Sequence, residues 1–257
     1  MLLIEPYASF ALVVVAPVLL WPWVAPYLGW SVDYSLFAIV VTYSLMILIP
    51  IHSIRLLYRR NLAEAVGFDV GLIRLALSLV FLIIPFVCPL LMRTDATTIV
   101  VAPIAEEFFF RMYLFGVQIA GRGEEEISGP RLAYAFVAST VLFVIAHFVI
   151  FSDPSWLWKA FQHEPFTYPF DIWKALSLFV GGFLFCLAYY LSGTILAAIA
   201  AHATWNASVP GCPVLGGKGL IIVILELCLW FLLIKEARDA LKKEIARLRL
   251  RPKIQAE

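Results

Sequence analysis

Residues 97–120 read TTIVVAPIAEEFFFRMYLFGVQIA, an apolar run that is long enough to cross a lipid bilayer as one helix. Three ionisable residues, Glu106, Glu107 and Arg111, interrupt its middle. A charged side chain at the centre of a membrane helix costs about 2.5 to 3.5 kcal/mol, so these three groups are not expected to face lipid. The run therefore predicts a membrane helix packed among others, around a polar centre.

The composition of the whole chain indicates the same class of protein. Of its 257 residues, 63% are hydrophobic and 14% are charged, and the mean hydropathy is +0.93. A soluble domain is usually about a quarter charged. The 19 basic and 18 acidic residues give a net charge of +1, so the overall charge does not suggest nucleic acid as a partner. We predict an integral membrane protein that has the lipid bilayer, and no nucleic acid, as a partner.

Apolar runs of about 20 residues, separated by charged or Gly/Pro-rich stretches, predict the membrane helices. Eight segments qualify: residues 8–28, 34–54, 71–92, 97–120, 131–151, 174–191, 194–208 and 219–236. The first contains Pro17, Pro22 and Pro26, so it is expected to be kinked or only partly inserted. The predicted fold class is all-α: a polytopic bundle of about eight transmembrane helices in a single integral membrane domain, residues 1–257.

The positions of Lys and Arg predict the orientation, because these residues accumulate on the cytoplasmic side. With eight spans, the clusters Arg55/Arg59/Arg60 and Arg122/Arg131 and the basic tail at residues 236–257 fall on one side. Both termini are therefore predicted to be cytoplasmic, and the predicted location is a bacterial inner (cell) membrane. Residues 152–173 are too polar to span but rich in aromatic residues, which suits a helix in the headgroup region or a surface loop.

Several polar residues of the fourth and fifth segments fall at helical spacing. Glu107 and Arg111 are i,i+4 neighbours on one face and can neutralise each other. Glu106 points about 100° away from Glu107, and the local sequence offers it no partner. In the fifth segment, His147 follows Phe143 by four residues. An ion pair or a single histidine alone is often structural.

The seventh segment adds a third polar face. His202 precedes Asn206 by four residues, so an imidazole and a carboxamide are presented to the same neighbour. The segment is also rich in alanine, which lets helix backbones approach closely. An unpaired acid, two histidines and an asparagine on three segments are costly for stability alone, and this combination favours a functional site.

These three segments together resemble the CAAX-protease and bacteriocin-processing family of intramembrane glutamic endopeptidases. The family pattern is EExxxR, then FxxxH, then HxxxN or HxxxD. It is matched by Glu106-Glu107-Phe-Phe-Phe-Arg111, Phe143-Val-Ile-Ala-His147 and His202-Ala-Thr-Trp-Asn206. The resemblance covers about residues 98–208, which it implies to be the catalytic core.

The resemblance also implies a role for each matched residue. Glu106 is the general base that activates water, and His147 helps to bind that water. His202 and Asn206 hold the oxyanion that forms at the scissile carbonyl, for which imidazole and carboxamide donors are suited. The supporting residues are Glu107, Arg111 and Phe143. The implied activity is a metal-independent endopeptidase with no cofactor.

Other functions are compatible with the same residues. Glu106 and the two histidines could ligate zinc, but the helical HExxH arrangement is absent and His163-Glu164-Pro165 does not supply it. A proton- or ion-coupled transporter could use the polar cluster, although the sequence has no inverted repeat. A haem protein with two histidine ligands and a membrane scaffold without proteolysis are further alternatives.

The family resemblance implies two substrate classes. One is the C-terminal processing of prenylated proteins at the cytoplasmic face, and the other is the cleavage of membrane-anchored peptides or C-terminal sorting tails. The predicted topology places the polar residues in the outer half of the membrane. It therefore favours a membrane-anchored protein or peptide that is cleaved near the outer face.

Overall fold

The computed structural model describes residues 4–28, 33–56, 65–66, 71–92, 97–120, 129–151, 155–163, 171–208 and 220–233. Within these ranges the backbone forms helices and turns and no strand, which confirms the predicted all-α class. The predicted basic tail at 236–257 lies outside the described residues, as do Arg59, Arg60 and Arg122.

The helices are numbered here in chain order, and one lies in each of the eight predicted membrane segments. They are α1 (Glu5–Leu28), α2 (Tyr34–Leu56), α3 (Leu72–Met92), α4 (97–120), α5 (129–151), α6 (Ser155–Phe161), α7 (Ile172–Ser192), α8 (Ile195–Ser208) and α9 (Leu220–Leu233). The additional helix, α6, lies in the aromatic-rich stretch between the fifth and sixth segments. Its Trp158 ring stacks on Tyr34 at the start of α2, with the ring centroids 5.7 Å apart.

Among the described residues, α1, α2, α5 and α7 are long and apolar enough to cross a membrane. Shorter apolar helices lie at Leu72–Ile83 and Leu220–Leu233. The first span is one continuous helix although Pro17, Pro22 and Pro26 lie within it. These helices identify the chain as an integral membrane protein built as a helix bundle.

Local sequence accounts for several helix ends. Asp33 and Asp171 cap the first turns of α2 and α7, because their Oδ1 atoms accept the backbone N–H groups of Leu36 and Trp173, each at 2.8 Å. Gly193 ends α7 with a left-handed φ of 75°, and its N–H bonds to the carbonyl of Tyr189 at 2.9 Å. A tight turn then leads directly into α8.

Helix α8 lies at the centre of the bundle. It packs against α3, α4 and α7, and most of its side chains are buried on every face. Alanines supply much of this surface: Ala197, Ala198, Ala200, Ala201, Ala203 and Ala207 are all buried. Small side chains allow neighbouring backbones to approach from several directions, which brings polar groups of different helices together.

Helices α4 and α5 each contain wider, π-helical turns. In α4 these are Thr97–Val101 and Phe108–Phe115, which flank an α-helical segment at Ala102–Glu107. In α5 the π turn is His147–Phe151. π turns are rare and frequently lie at functional sites. Here they border the sequence motifs directly.

Candidate active site

Helix α4 holds the three ionisable residues of the first motif, all of them buried. Glu107 Oε2 lies 3.1 Å from Arg111 Nε, so the ion pair predicted from the i,i+4 spacing is present. Arg111 also donates from Nη2 to the carbonyl oxygen of Gly182 on α7, at 3.1 Å. The arginine therefore connects α4 to α7 as well as neutralising Glu107.

Glu106 faces the two histidines of the other motifs. Its Oε2 atom is 3.7 Å from Nε2 of His147 and 3.8 Å from Nε2 of His202. Glu106 is 2% exposed, and its Oε2 has no direct hydrogen-bond partner among the described residues. The structure thus brings three helices together around one carboxylate oxygen, at separations longer than a direct hydrogen bond.

The His147 ring is oriented by its own helix. Nδ1 lies 2.9 Å from the carbonyl oxygen of Phe143. Because a carbonyl oxygen only accepts, Nδ1 carries the proton, and Nε2 of the neutral ring is left with a lone pair. This Nε2 is the atom that faces Glu106. The side chain is 16% exposed, so His147 lies at the edge of the buried cluster.

The His202 ring is oriented by Glu107. Its Nδ1 is 2.7 Å from Oε1 of Glu107, whose other oxygen pairs with Arg111. Since an ionised carboxylate only accepts, Nδ1 of His202 donates this hydrogen bond. Glu107 thus contacts both Arg111 and His202. The helical spacing predicted the first contact but carried no signal for the second, which depends on the packing of α8 against α4.

Asn206 lies one helical turn beyond His202. Its Nδ2 donates to the backbone carbonyl of Thr98 at 2.9 Å. Thr98 precedes Glu106 by about two turns of α4, so the carboxamide lies nearer the start of that helix. Contacts that run from Glu107 to His202 and from Thr98 to Asn206 also show that α4 and α8 are antiparallel.

Aromatic rings enclose the charged groups. The Arg111 guanidinium lies 4.3 Å from the ring centroid of Phe143, and the Phe143 ring is 4.3 Å from that of His147. Phe185 of α7, which the sequence did not indicate, stacks on His202 with centroids 4.5 Å apart and an interplanar angle of 14°. Such contacts fix the orientation of both imidazoles and exclude lipid.

Gly182 is a second residue of α7 that the sequence did not indicate. Its carbonyl accepts from Arg111, and a Cβ at this position would lie 3.0 Å from Cδ1 of Phe143 and 3.3 Å from Cγ2 of Thr140. Only glycine lets the two helices approach this closely. No local signal identifies it, because a glycine in a membrane helix is common.

The Glu106 cluster, defined as Glu106, Glu107, Arg111, His147 and His202, contains groups that can accept, donate and hold protons. Within the ranges that the structure describes, no three His, Cys, Asp or Glu side chains are arranged as a metal site. The cluster presents two Nε2 atoms and one carboxylate oxygen to a common point. This arrangement is suited to bind and deprotonate a small polar molecule such as water.

Comparison with known families agrees with the three motifs. The family model described as type II CAAX prenyl endopeptidase, Rce1-like, matches residues 75–208, which is more than half of the chain. The matched residues include α4, α5, α7 and α8, and therefore all of the Glu106 cluster. No curated protein and no solved structure matches the chain.

Proposed function

The chain belongs to the Rce1-like family of type II CAAX prenyl endopeptidases, and we propose that it cleaves peptide bonds within the membrane with Glu106 as the general base. As a member of this family it is a membrane protease. We further propose which residues catalyse the reaction, that the reaction requires no metal, and which substrate is cleaved. The catalytic core is assigned to residues 98–208 of a single membrane domain.

The distance from Glu106 Oε2 to the Nε2 atoms of the two histidines is the main observation that supports this proposal. A polar contact beyond 3.5 Å suggests a bridging water. One water about 2.8 Å from each group can connect Glu106 Oε2 with an Nε2 atom 3.7 Å away. The lone pair on Nε2 of His147 accepts one hydrogen of this water, and Glu106 accepts the other. The water oxygen is thereby directed towards a substrate carbonyl.

The reaction that follows is general-base hydrolysis. Glu106 removes a proton as the water oxygen bonds to the carbonyl carbon, which gives a tetrahedral intermediate with a negatively charged oxygen. Glu106 then returns the proton to the amide nitrogen while the C–N bond breaks. One product leaves as a carboxylic acid and the other as an amine, and Glu106 regains its initial state.

Charge balance supports a role for His202 in this reaction. Its Nδ1 is committed to Glu107, so donation from Nε2 requires both ring nitrogens to carry protons. An imidazolium and Arg111 then balance the carboxylates of Glu106 and Glu107, and the buried cluster is neutral. With Glu106 ionised as the general base, a neutral His202 would leave a net negative charge in the buried cluster, so the ionised base favours this form. In it, Nε2 of His202 can donate to the oxyanion.

The second oxyanion donor that we propose is Asn206. One hydrogen of its carboxamide bonds to Thr98, and the group has a second hydrogen available to a substrate. With two donors for the oxyanion and a general base for the water, hydrolysis requires no Lewis acid. We therefore assign a metal-independent mechanism.

We propose a membrane-anchored protein or peptide as the substrate, cleaved near the outer face. Glu106 is nine residues from the start of α4, and Asn206 is near the end of α8. Arg55 and Arg131 lie at the end of α2 and the start of α5, which is the opposite end of the bundle. Because basic residues favour the cytoplasmic side, the Glu106 cluster is assigned to the outer half of a bacterial cell membrane, with both termini cytoplasmic.

The test is cleavage of a panel of prenylated and unprenylated membrane-anchored peptides by the purified protein in detergent. Glu106→Ala and His147→Ala are expected to reduce cleavage by at least about 100-fold, the usual contribution of general-base catalysis. The matched control is Glu226→Gln, which changes another buried acid, on α9, and is expected to retain activity within about twofold. Cleavage that survives Glu106→Ala would refute the assigned base.

A chelator distinguishes the metal-independent mechanism from a zinc protease. Incubation with 1,10-phenanthroline is expected to leave the rate unchanged. Loss of activity with the chelator, followed by recovery on addition of zinc, would contradict the assigned mechanism and leave the family membership intact. Prenylated peptides cleaved in preference to all others would favour C-terminal processing at the cytoplasmic face and contradict the proposed cleavage near the outer face.

A further inference from the structure

The turn that joins α7 to α8 lies inside the bundle. Ser192 and Thr194, on either side of Gly193, are fully buried. Buried backbone groups require hydrogen-bond partners, and side chains of the turn supply some of them. The Ser192 hydroxyl oxygen accepts the backbone N–H of Thr194 at 3.1 Å and donates to the carbonyl oxygen of Ala188 at 2.7 Å. The turn is therefore ordered by its own polar side chains.

The Thr194 hydroxyl makes two hydrogen bonds with different parts of the chain. Its Oγ1 accepts the backbone N–H of Leu196 at 3.3 Å, which is the usual contact of a residue that caps a helix N-terminus. The same hydroxyl donates to the carbonyl oxygen of Val66 at 3.2 Å. Val66 is buried and belongs to the connection between α2 and α3. One oxygen atom thus caps α8 and attaches its first turn to another part of the bundle.

A neighbouring hydrogen bond joins the same two regions. Tyr189, in the last turn of α7, donates from its hydroxyl group to the carbonyl oxygen of Ala65 at 3.1 Å. Val66 is also buried in the same hydrophobic cluster as Ile195, the first residue of α8. Residues 65–66 are therefore attached to the α7–α8 turn by hydrogen bonds within the apolar core.

The position of α8 along its own axis sets the depth of His202 in the bundle. The helix is continuous from Ile195 to Ser208, so His202 lies about 12 Å along the axis from Thr194. Alanines form much of the buried surface of α8, and their short side chains form shallow ridges that oppose sliding only weakly. Polar contacts are therefore needed to fix the register of α8 against α4.

We propose that Thr194 is a positioning residue for His202. Its hydroxyl holds the first turn of α8 against the Val66 carbonyl. This attachment keeps Nδ1 of His202 at 2.7 Å from Glu107 and Nε2 at 3.8 Å from Glu106. A misplacement of about 1 Å in an active site can lower a rate about 100-fold. The kinetic part of this inference rests on the proposed function, whereas the attachment of α8 does not.

The kinetic test removes the Thr194 hydroxyl and then restores it. Thr194→Val keeps the branched side chain and is expected to lower kcat by about tenfold with KM within about twofold, since no substrate contact is removed. Thr194→Ser retains the hydroxyl and is expected to keep kcat within about twofold of wild type. Peptide hydrolysis in detergent measures both. A wild-type kcat in Thr194→Val, or a rise in KM alone, would overturn the positioning role.

Asp33→Ala is the matched control, because Asp33 caps α2, which carries no residue of the Glu106 cluster. Asp33→Ala and Thr194→Val each remove a helix cap, and each is expected to lower Tm by at least about 2 °C. Only Thr194→Val is expected to lower kcat by more than about twofold. Equal losses of kcat in the two variants would show general destabilisation and contradict the positioning of His202.

Amide hydrogen exchange tests the attachment without a substrate. Thr194→Val is expected to accelerate exchange at least about threefold in peptides covering residues 195–201. Tyr189→Phe removes the hydroxyl that binds Ala65 but keeps the Thr194 cap, and it is expected to accelerate exchange in the same peptides by a smaller factor. Unchanged exchange in either variant would overturn the attachment of α8.

Tyr189→Phe also replaces Thr194→Val in the kinetic test if the latter does not fold. It is expected to lower kcat by about threefold with KM unchanged, and a wild-type kcat would then contradict the positioning role. If the wild type cleaves no peptide, the proposed function fails, whereas hydrogen exchange still decides the attachment.

Discussion

Two carboxylates at different levels of α4, the partly buried Glu5 beside Tyr113 and the buried Glu106, are treated very differently by the fold. Oε1 of Glu5, at the start of α1, accepts hydrogen bonds from Ser9 at 3.1 Å, from Ser53 at 3.0 Å and from Tyr113. Glu106 lies on α4 about two turns before Tyr113. Its Oε2 receives no direct hydrogen bond from the described residues and lies more than 3.5 Å from the Nε2 atoms of two imidazoles. The Glu5 oxygen accepts from three hydroxyl groups, whereas the Glu106 oxygen has no direct donor among the described residues.

The difference separates an acid with structural contacts from the acid that we propose as the general base. Glu5, Ser9, Ser53 and Tyr113 form the Glu5 cluster, which joins α1, α2 and α4 through hydroxyl donors. Hydroxyl groups stabilise a carboxylate and hold helices together, but they accept protons poorly near neutral pH. The Glu106 cluster instead combines two carboxylates, two imidazoles and a guanidinium, groups that exchange protons or balance charge. The choice of partner therefore distinguishes the two kinds of site.

Among the substitutions that test the difference between the two clusters, Glu107→Gln is expected to have the largest effect. This change leaves the buried Arg111 without a counter-charge, which typically costs about 3–5 kcal/mol. It also removes the carboxylate that orients His202. We expect Tm to fall by about 10 °C and cleavage to be lost, as measured by thermal unfolding and peptide hydrolysis in detergent.

The double variant Glu107→Gln/Arg111→Met is the control for this prediction. Removing both charges is expected to recover most of the lost stability, because no unpaired charge is left inside the bundle. Activity is expected to remain lost, since His202 has no carboxylate partner. Recovery of activity in the double variant would show that Glu107 serves only to neutralise Arg111.

An intermediate effect is expected from Gly182→Ala. The added Cβ would lie 3.0 Å from Phe143, and the Phe143 ring packs against His147. A displaced His147 is expected to lower kcat by about tenfold, with a smaller change in KM. Gly129→Ala is the matched control, because a Cβ there meets no atom within 4 Å. Equal kcat values for the two variants would mean that Phe143 does not transmit the displacement.

The smallest effect is expected from Glu5→Gln, which should lower the stability of the protein without changing its activity. A neutral acceptor forms weaker hydrogen bonds with the three hydroxyls, so we expect a loss of about 1–2 kcal/mol of stability. Because Glu5 bonds to α4 at Tyr113, about two turns from Glu106, kcat is expected to stay within about twofold of wild type. A large fall in kcat without a change in Tm would show that Glu5 contributes to activity and not to stability, contrary to this prediction.

Much of the fold and part of the site could be predicted from sequence because the signals are local. Apolar length located the eight helical segments, and i,i+4 spacing predicted the Glu107–Arg111 ion pair, which the structure confirms. Phe185 and Gly182 could not be predicted, since their importance comes from the packing of α7 against α4 and α5. The contact of Asn206 with Thr98 could not be predicted either, since it depends on the packing of α8 against α4.

The shortness of α8 has a consequence for how the protein is made. Its 14 residues span about 21 Å, less than the hydrocarbon thickness of a bilayer, and it carries His202 and Asn206. A segment this short and polar is not expected to be inserted efficiently on its own by the translocon. We expect it to enter the bilayer only once its neighbours have assembled. An unfinished nascent chain would then lack His202 beside Glu106, so the hydrolysis that we propose would begin only after α8 has inserted.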